Sequence, residues 1–112
     1  GIHLAAHKPE VASALLDLAQ RESKAEALDY AAKLVAALRP VTDLQGHPQR
    51  AAAFVVLKAP DVPSVLVELG YLSNRNDLAH LLDSAWRRKM AQAMTASVDQ
   101  FFAAAATAQA GP

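Results

Sequence analysis

Ala53-Phe54-Val55-Val56-Leu57-Lys58-Ala59-Pro60-Asp61-Val62-Pro63-Ser64-Val65-Leu66-Val67-Glu68-Leu69-Gly70 holds two short apolar runs rich in β-branched residues, and what those runs form decides the architecture. Residues 53–57 and 64–69 both read as buried strands. The link between them is far shorter than the dozen or so residues a parallel crossover needs, so the two runs would pair antiparallel if they pair at all. Glu68 stands out in the second run. An ionised carboxylate among branched apolar side chains costs several kcal/mol unless something compensates it. Period-two alternation sets Glu68 on the face of Ser64 and Leu66, at the carboxyl end of the strand, where open α/β sheets place their ligand sites. Spacing alone leaves two readings open: a structural acid that reaches solvent or an arginine, and a chemical group.

Working outward, Pro9 to Leu38 contains no interior Gly or Pro and repeats apolar residues at Val11, Leu15, Leu18, Leu28, Ala31, Ala32, Val35 and Leu38, which predicts a helix. Pro9 suits a first turn and Pro40 blocks continuation. At about 1.5 Å per residue such a helix outruns a domain of this size, so a bend near Ser23-Lys24 or a projecting arm is expected. Residues 41–50 read as a loop. Ser73 or Asn74 can cap a short helix through Asp77, Leu78, Leu81 and Leu82. A last helix starts at Ser84, with Trp86, Met90, Ala93, Met94, Ser97, Val98, Phe101 and Phe102 on one stripe. Residues 1–105 are expected to form one domain part, and 106–112 a flexible tail. Two strands and three helices make an α/β reading. Two strands alone form no doubly covered sheet, so the rest of the sheet is expected from sequence outside this chain. The start at Gly1, without methionine, fits an interior position of something longer.

Composition narrows the function classes. Hydrophobic residues make up 53% and charged residues 20% of the 112, enough apolar area for one core. Eleven basic and eleven acidic side chains cancel, which disfavours nucleic acid and anionic lipid as partners. Without cysteine there is no disulfide or thiol chemistry. No apolar run approaches the roughly 20 residues that span a bilayer.

The stretch Phe54 to Asn74, ending Val65-Leu66-Val67-Glu68-Leu69-Gly70-Tyr71-Leu72-Ser73-Asn74, closely resembles the C-terminal signature of the zinc-dependent N-acetylmuramoyl-L-alanine amidases of the amidase_3 type. Glu10 to Ser23 resembles the helix preceding that region in Gram-negative cell-division members, and Trp86 to Phe102 their closing helix. The resemblance implies the C-terminal half of a mixed-sheet, three-layer α/β domain. It also implies hydrolysis of the amide between N-acetylmuramic acid and L-alanine in peptidoglycan, in the periplasm. In the family the glutamate matching Glu68 is the catalytic carboxylate: zinc polarises the carbonyl and acidifies water while a glutamate outside the metal shell moves protons. The family's zinc ligands, two histidines and a glutamate, belong to motifs upstream of the region resembled, so zinc is implied for the full-length parent and its ligands are absent here. An activator with an inactive LytM-type domain is the implied protein partner. The alternative is a noncatalytic or regulatory module that binds such an activator through its N-terminal helix.

The remaining candidates read as structural. His47, in Gly46-His47-Pro48, lacks the glycines that follow the family's first zinc histidine and comes in the wrong order. His3 and His7 have a four-residue separation able to hold zinc on a helix face, but lack a third ligand and precede Pro9. His80 reads as partly buried packing. Arg87-Arg88-Lys89 reads as a solvated helix face rather than a contact for a glycan. Trp86 and Phe101-Phe102 share helical spacing with Met90 and Met94, which says core rather than sugar stacking.

Overall fold

A computed structural model describes residues 8–44, 48 and 61–110. Its elements are α1 (Pro9–Leu38), α2 (Arg75–Leu82) and α3 (Ser84–Ala110). The chain divides into two compact units, one of residues 1–29 and 51–66, the other of residues 30–50 and 67–112.

The described residues contain no strand, which corrects the mixed-sheet α/β expectation. Residues 53–57, the first expected strand, lie outside the described part. Residues 64–69, the second, carry no regular secondary structure. The reason is that β-propensity reports how well a side chain fits a pleated, half-buried surface and does not by itself supply a partner ladder. Here Val67 packs against a helical core, while Leu66 and Leu69 stay 58% and 44% exposed. The same branched residues that suit a strand serve as one anchor and two surface positions.

α1 begins at Pro9, whose missing N–H is no loss in a first turn, with Glu10 favourably placed against the helix dipole. The helix runs without interruption through Ser23-Lys24. Its residues up to Asp29 belong to the first unit, where Val11 and Leu18 are 47% and 52% exposed. It closes on both sides of Pro40: Arg39 N–H donates to the Val35 carbonyl at 3.1 Å and Thr42 N–H to the Leu38 carbonyl at 3.1 Å.

The core belongs to the second unit. Leu34 and Leu38, one turn apart on α1, meet Trp86 and Met90, one turn apart on α3, and all four are buried. Tyr30, Val41, Leu44, Val67, Leu81, Ala93 and Met94 pack around them. Burying each large side chain of such a cluster is worth about 1.5–3 kcal/mol, so this small set carries most of the unit's apolar stabilisation. Val98 and Phe102, expected on the inward stripe, are 39% and 65% exposed. Phe101 turns inward, edge-on to Tyr30 with centroids 5.5 Å apart. Among the described residues Ser97 is the one fully buried polar residue. Its hydroxyl donates to the Met94 carbonyl at 2.6 Å, which leaves the Tyr30 hydroxyl, 3.1 Å away, to donate to Ser97 Oγ.

α2 is held at both ends by side chains. Asn74 is its N-cap, with extended backbone and Oδ1 accepting from Asp77 N–H at 3.0 Å. Asp83 ends α2 and starts α3: its N–H donates to the His80 carbonyl at 3.0 Å, and its Oδ1 accepts from Ala85 N–H at 3.0 Å. Asn74→Ala is expected to lower stability by about 1 kcal/mol through the lost cap. A denaturant melt of the full-length protein checks it; a loss under about 0.5 kcal/mol, the scale of neutral surface changes, would contradict it.

Candidate active site around Glu68

Glu68 is fixed from both sides in sequence. On one side Val67, its immediate neighbour, is half-buried against the Leu34–Trp86 cluster. On the other a tight loop joins Gly70 to the first turn of α2. Tyr71 N–H donates to Asp77 Oδ2 at 3.0 Å, and Asn74 N–H donates to the Tyr71 carbonyl at 3.1 Å. Asp77 is the third residue of α2, so its carboxylate reaches back as the acid of a capping box does, but past the cap to Tyr71. Gly70 is required by this approach. A Cβ there would sit 3.0 Å from Asp77 Cβ and 3.2 Å from Cγ, and its φ of +159° is one that L side chains rarely adopt.

Tyr71 turns its ring back toward Glu68, and its hydroxyl donates to Glu68 Oε2 at 2.9 Å. Glu68 itself is exposed. The apolar enclosure expected from its neighbours is therefore corrected: in this chain the carboxylate keeps its solvent, and the desolvation cost of several kcal/mol is not incurred. Oε1 has no partner among the described residues and is open to a water molecule or substrate. What the arrangement offers chemically is a carboxylate with one oxygen held and one free to take up or release a proton.

The other sequence candidates fall elsewhere. His3, His7 and His47 lie outside the described residues. His80 is exposed rather than partly buried, with its ring stacked on Trp86 at 5.2 Å and 7° between planes. Trp86 is core, as its spacing predicts, and its indole N–H donates to Thr42 Oγ1 at 3.3 Å. Arg87 donates to the Leu81 carbonyl at 2.8 Å, satisfying an end of α2, while Arg88 and Lys89 are exposed. Tyr71 and Asp77 are the members of the Glu68 cluster that sequence reasoning did not assign to it. The available signal was the Asn74-x-x-Asp77 spacing, which marks a helix start and so brings Tyr71, three before Asn74, and Asp77, three after it, into one turn.

No group of three or more His, Cys, Asp or Glu among the described residues is placed to hold a metal ion. The described residues therefore do not fit as a zinc shell. No helix among them is long and apolar enough to cross a membrane.

Residues 1–100 match the family model described as N-acetylmuramoyl-L-alanine amidase. The chain is 36% identical over 88 residues to the N-acetylmuramoyl-L-alanine amidase AmiA of Escherichia coli K12, covering 79% of this chain and 30% of that protein. It is 30% identical over 93 residues to AmiC of Escherichia coli O6:H1, covering 83% and 22%. A probable cell wall amidase LytH of Staphylococcus epidermidis is 36% identical over 59 residues, covering 53% and 20%. The chain thus spans less than a third of the length of these relatives. No solved structure matches it. With nine tenths of its length inside the family model, and the Glu68 stretch within the matched part, the chain belongs to the Amidase_3 family of N-acetylmuramoyl-L-alanine amidases.

Proposed function

We propose that this chain is part of an enzyme that hydrolyses the amide joining the lactyl group of N-acetylmuramic acid to L-alanine in peptidoglycan, with Glu68 as its proton-carrying carboxylate. The observation that carries this reading is a solvent-reached glutamate, inside the family-matched residues, with one carboxylate oxygen held by Tyr71 and the other without a partner among the described residues. In that role Glu68 takes a proton from the attacking water as the new C–O bond forms, then gives it to the departing amine as the C–N bond breaks. Both transfers use the same free oxygen, so a carboxylate held at one point suits both. Zinc in the parent protein would be held by residues outside the described part of the chain, and the periplasm of a dividing cell is the compartment that suits such a substrate. Turnover by the full-length protein carrying Glu68→Gln is the direct test, and near-normal rates would overturn the assignment.

A second reading concerns α1. Val11 and Leu18 lie seven residues apart, on one helical face, and both are about half exposed. That supports an activator protein, of the kind with an inactive LytM-type domain, docking on the first part of α1. Val11→Glu with Leu18→Glu in the full-length protein is expected to reduce activator-stimulated turnover by more than tenfold, since an unpaired carboxylate placed in an apolar contact costs several kcal/mol. Basal turnover should be retained. Unchanged stimulation would remove α1 from the docking surface.

A further inference from the structure

We infer that Tyr71 is a positioning residue for Glu68, held in place by Asp77; this rests on the reading of Glu68 as the proton carrier. A glutamate on the surface has three side-chain torsions and, left alone, samples several staggered arrangements. Only some of these present an oxygen where a water and a leaving amine can reach it in turn. The Tyr71 hydroxyl, 2.9 Å from Oε2, selects one of them and leaves Oε1 without a partner among the described residues.

The way Tyr71 is mounted argues against an incidental contact. Its N–H is held by Asp77 Oδ2 at 3.0 Å, its carbonyl by Asn74 N–H at 3.1 Å, and Asp77 by Asn74 Oδ1 at 3.0 Å. The residue before it must be glycine for Asp77 to come this close. This fixes the backbone of a tyrosine whose side chain is 48% exposed, and whose hydroxyl meets another exposed group. A hydrogen bond between two exposed side chains adds little to stability, because water competes for both ends. The cluster orients a carboxylate more than it stabilises a fold.

The test is a double-mutant cycle in the full-length protein, with Tyr71→Phe, Glu68→Gln and the two combined, measuring kcat and KM on a soluble muropeptide together with the melting temperature. Tyr71→Phe is expected to lower kcat by about 2- to 12-fold, the scale of one ordinary hydrogen bond with both ends open to water, with KM and melting temperature unchanged. In the Glu68→Gln background the same change should cost nothing further, since there is no longer a proton carrier to orient. Wild-type kcat in Tyr71→Phe beside a crippled Glu68→Gln would overturn the positioning role and leave the catalytic reading of Glu68 standing. An equal fold loss in both backgrounds would also overturn it, because Tyr71 would then act independently of Glu68. Near-normal turnover in Glu68→Gln would instead overturn the underlying reading, and the inference with it.

Discussion

Glu68→Gln in the full-length protein is expected to lower kcat by about 10²–10⁴-fold, the usual cost of losing a general acid/base. Glutamine keeps the size of the side chain and still offers an oxygen to the Tyr71 hydroxyl, but it neither accepts nor returns a proton. Melting temperature should stay as in the parent, because Glu68 is exposed and outside the apolar cluster, and zinc content should stay because the role proposed for Glu68 lies outside the metal shell. A structural acid would behave the other way. Had Glu68 been paired with a buried cation, its loss would leave an uncompensated charge, lower the melting temperature by several degrees and spare activity in the cold. Rate, melting temperature and zinc stoichiometry measured on one preparation separate the two cases.

Trp86→Ala is expected to remove about 3–5 kcal/mol of stability, the range for deleting a large aromatic from a core. Trp86 is 8% exposed and is one of only four buried residues in its cluster, so few neighbours can close the space it leaves. Its indole also carries the stacked His80 ring and donates to Thr42, and both would lose their partner. Denaturant melts of the full-length protein monitored at the second unit check this. A loss below about 1 kcal/mol would mean that the cluster repacks freely and that the unit is stabilised from elsewhere.

The helices were legible because their signals are local. Pro9 and Pro40 bracket α1, Asn74 caps α2, and the Trp86–Met90–Ala93–Met94–Ser97 spacing marks the inward side of α3. The sheet was misread because Val65, Val67 and Leu69 satisfy a pattern that needs a second chain segment to become a strand, and a pattern carries no information about that segment. The same limit placed Val98 and Phe102 on the wrong side: an alanine-rich helix has apolar residues most of the way round, so period alone marks no sharp boundary. Glu68 was found as an oddity within an apolar run. Its environment was not, since exposure is decided by what packs nearby and not by the residues adjacent in sequence.

The buried hydroxyl of Ser97 bears on uniqueness more than on strength. Leu34, Leu38 and the methionines and alanines of α3 are smooth enough to tolerate more than one way of sliding α3 along the second half of α1. Shifting α3 by one turn would bring Ala93 or Phe101 opposite the Tyr30 hydroxyl, and neither side chain can accept its proton. An orphaned hydroxyl costs about 1–3 kcal/mol, while the Tyr30–Ser97 pair leaves none at its present setting. One serine thus acts as a key that fixes the register of two otherwise slippery helices. Trp86 lies on the same helix, in the cluster that anchors Val67, so the position of the chain at Glu68 inherits that choice.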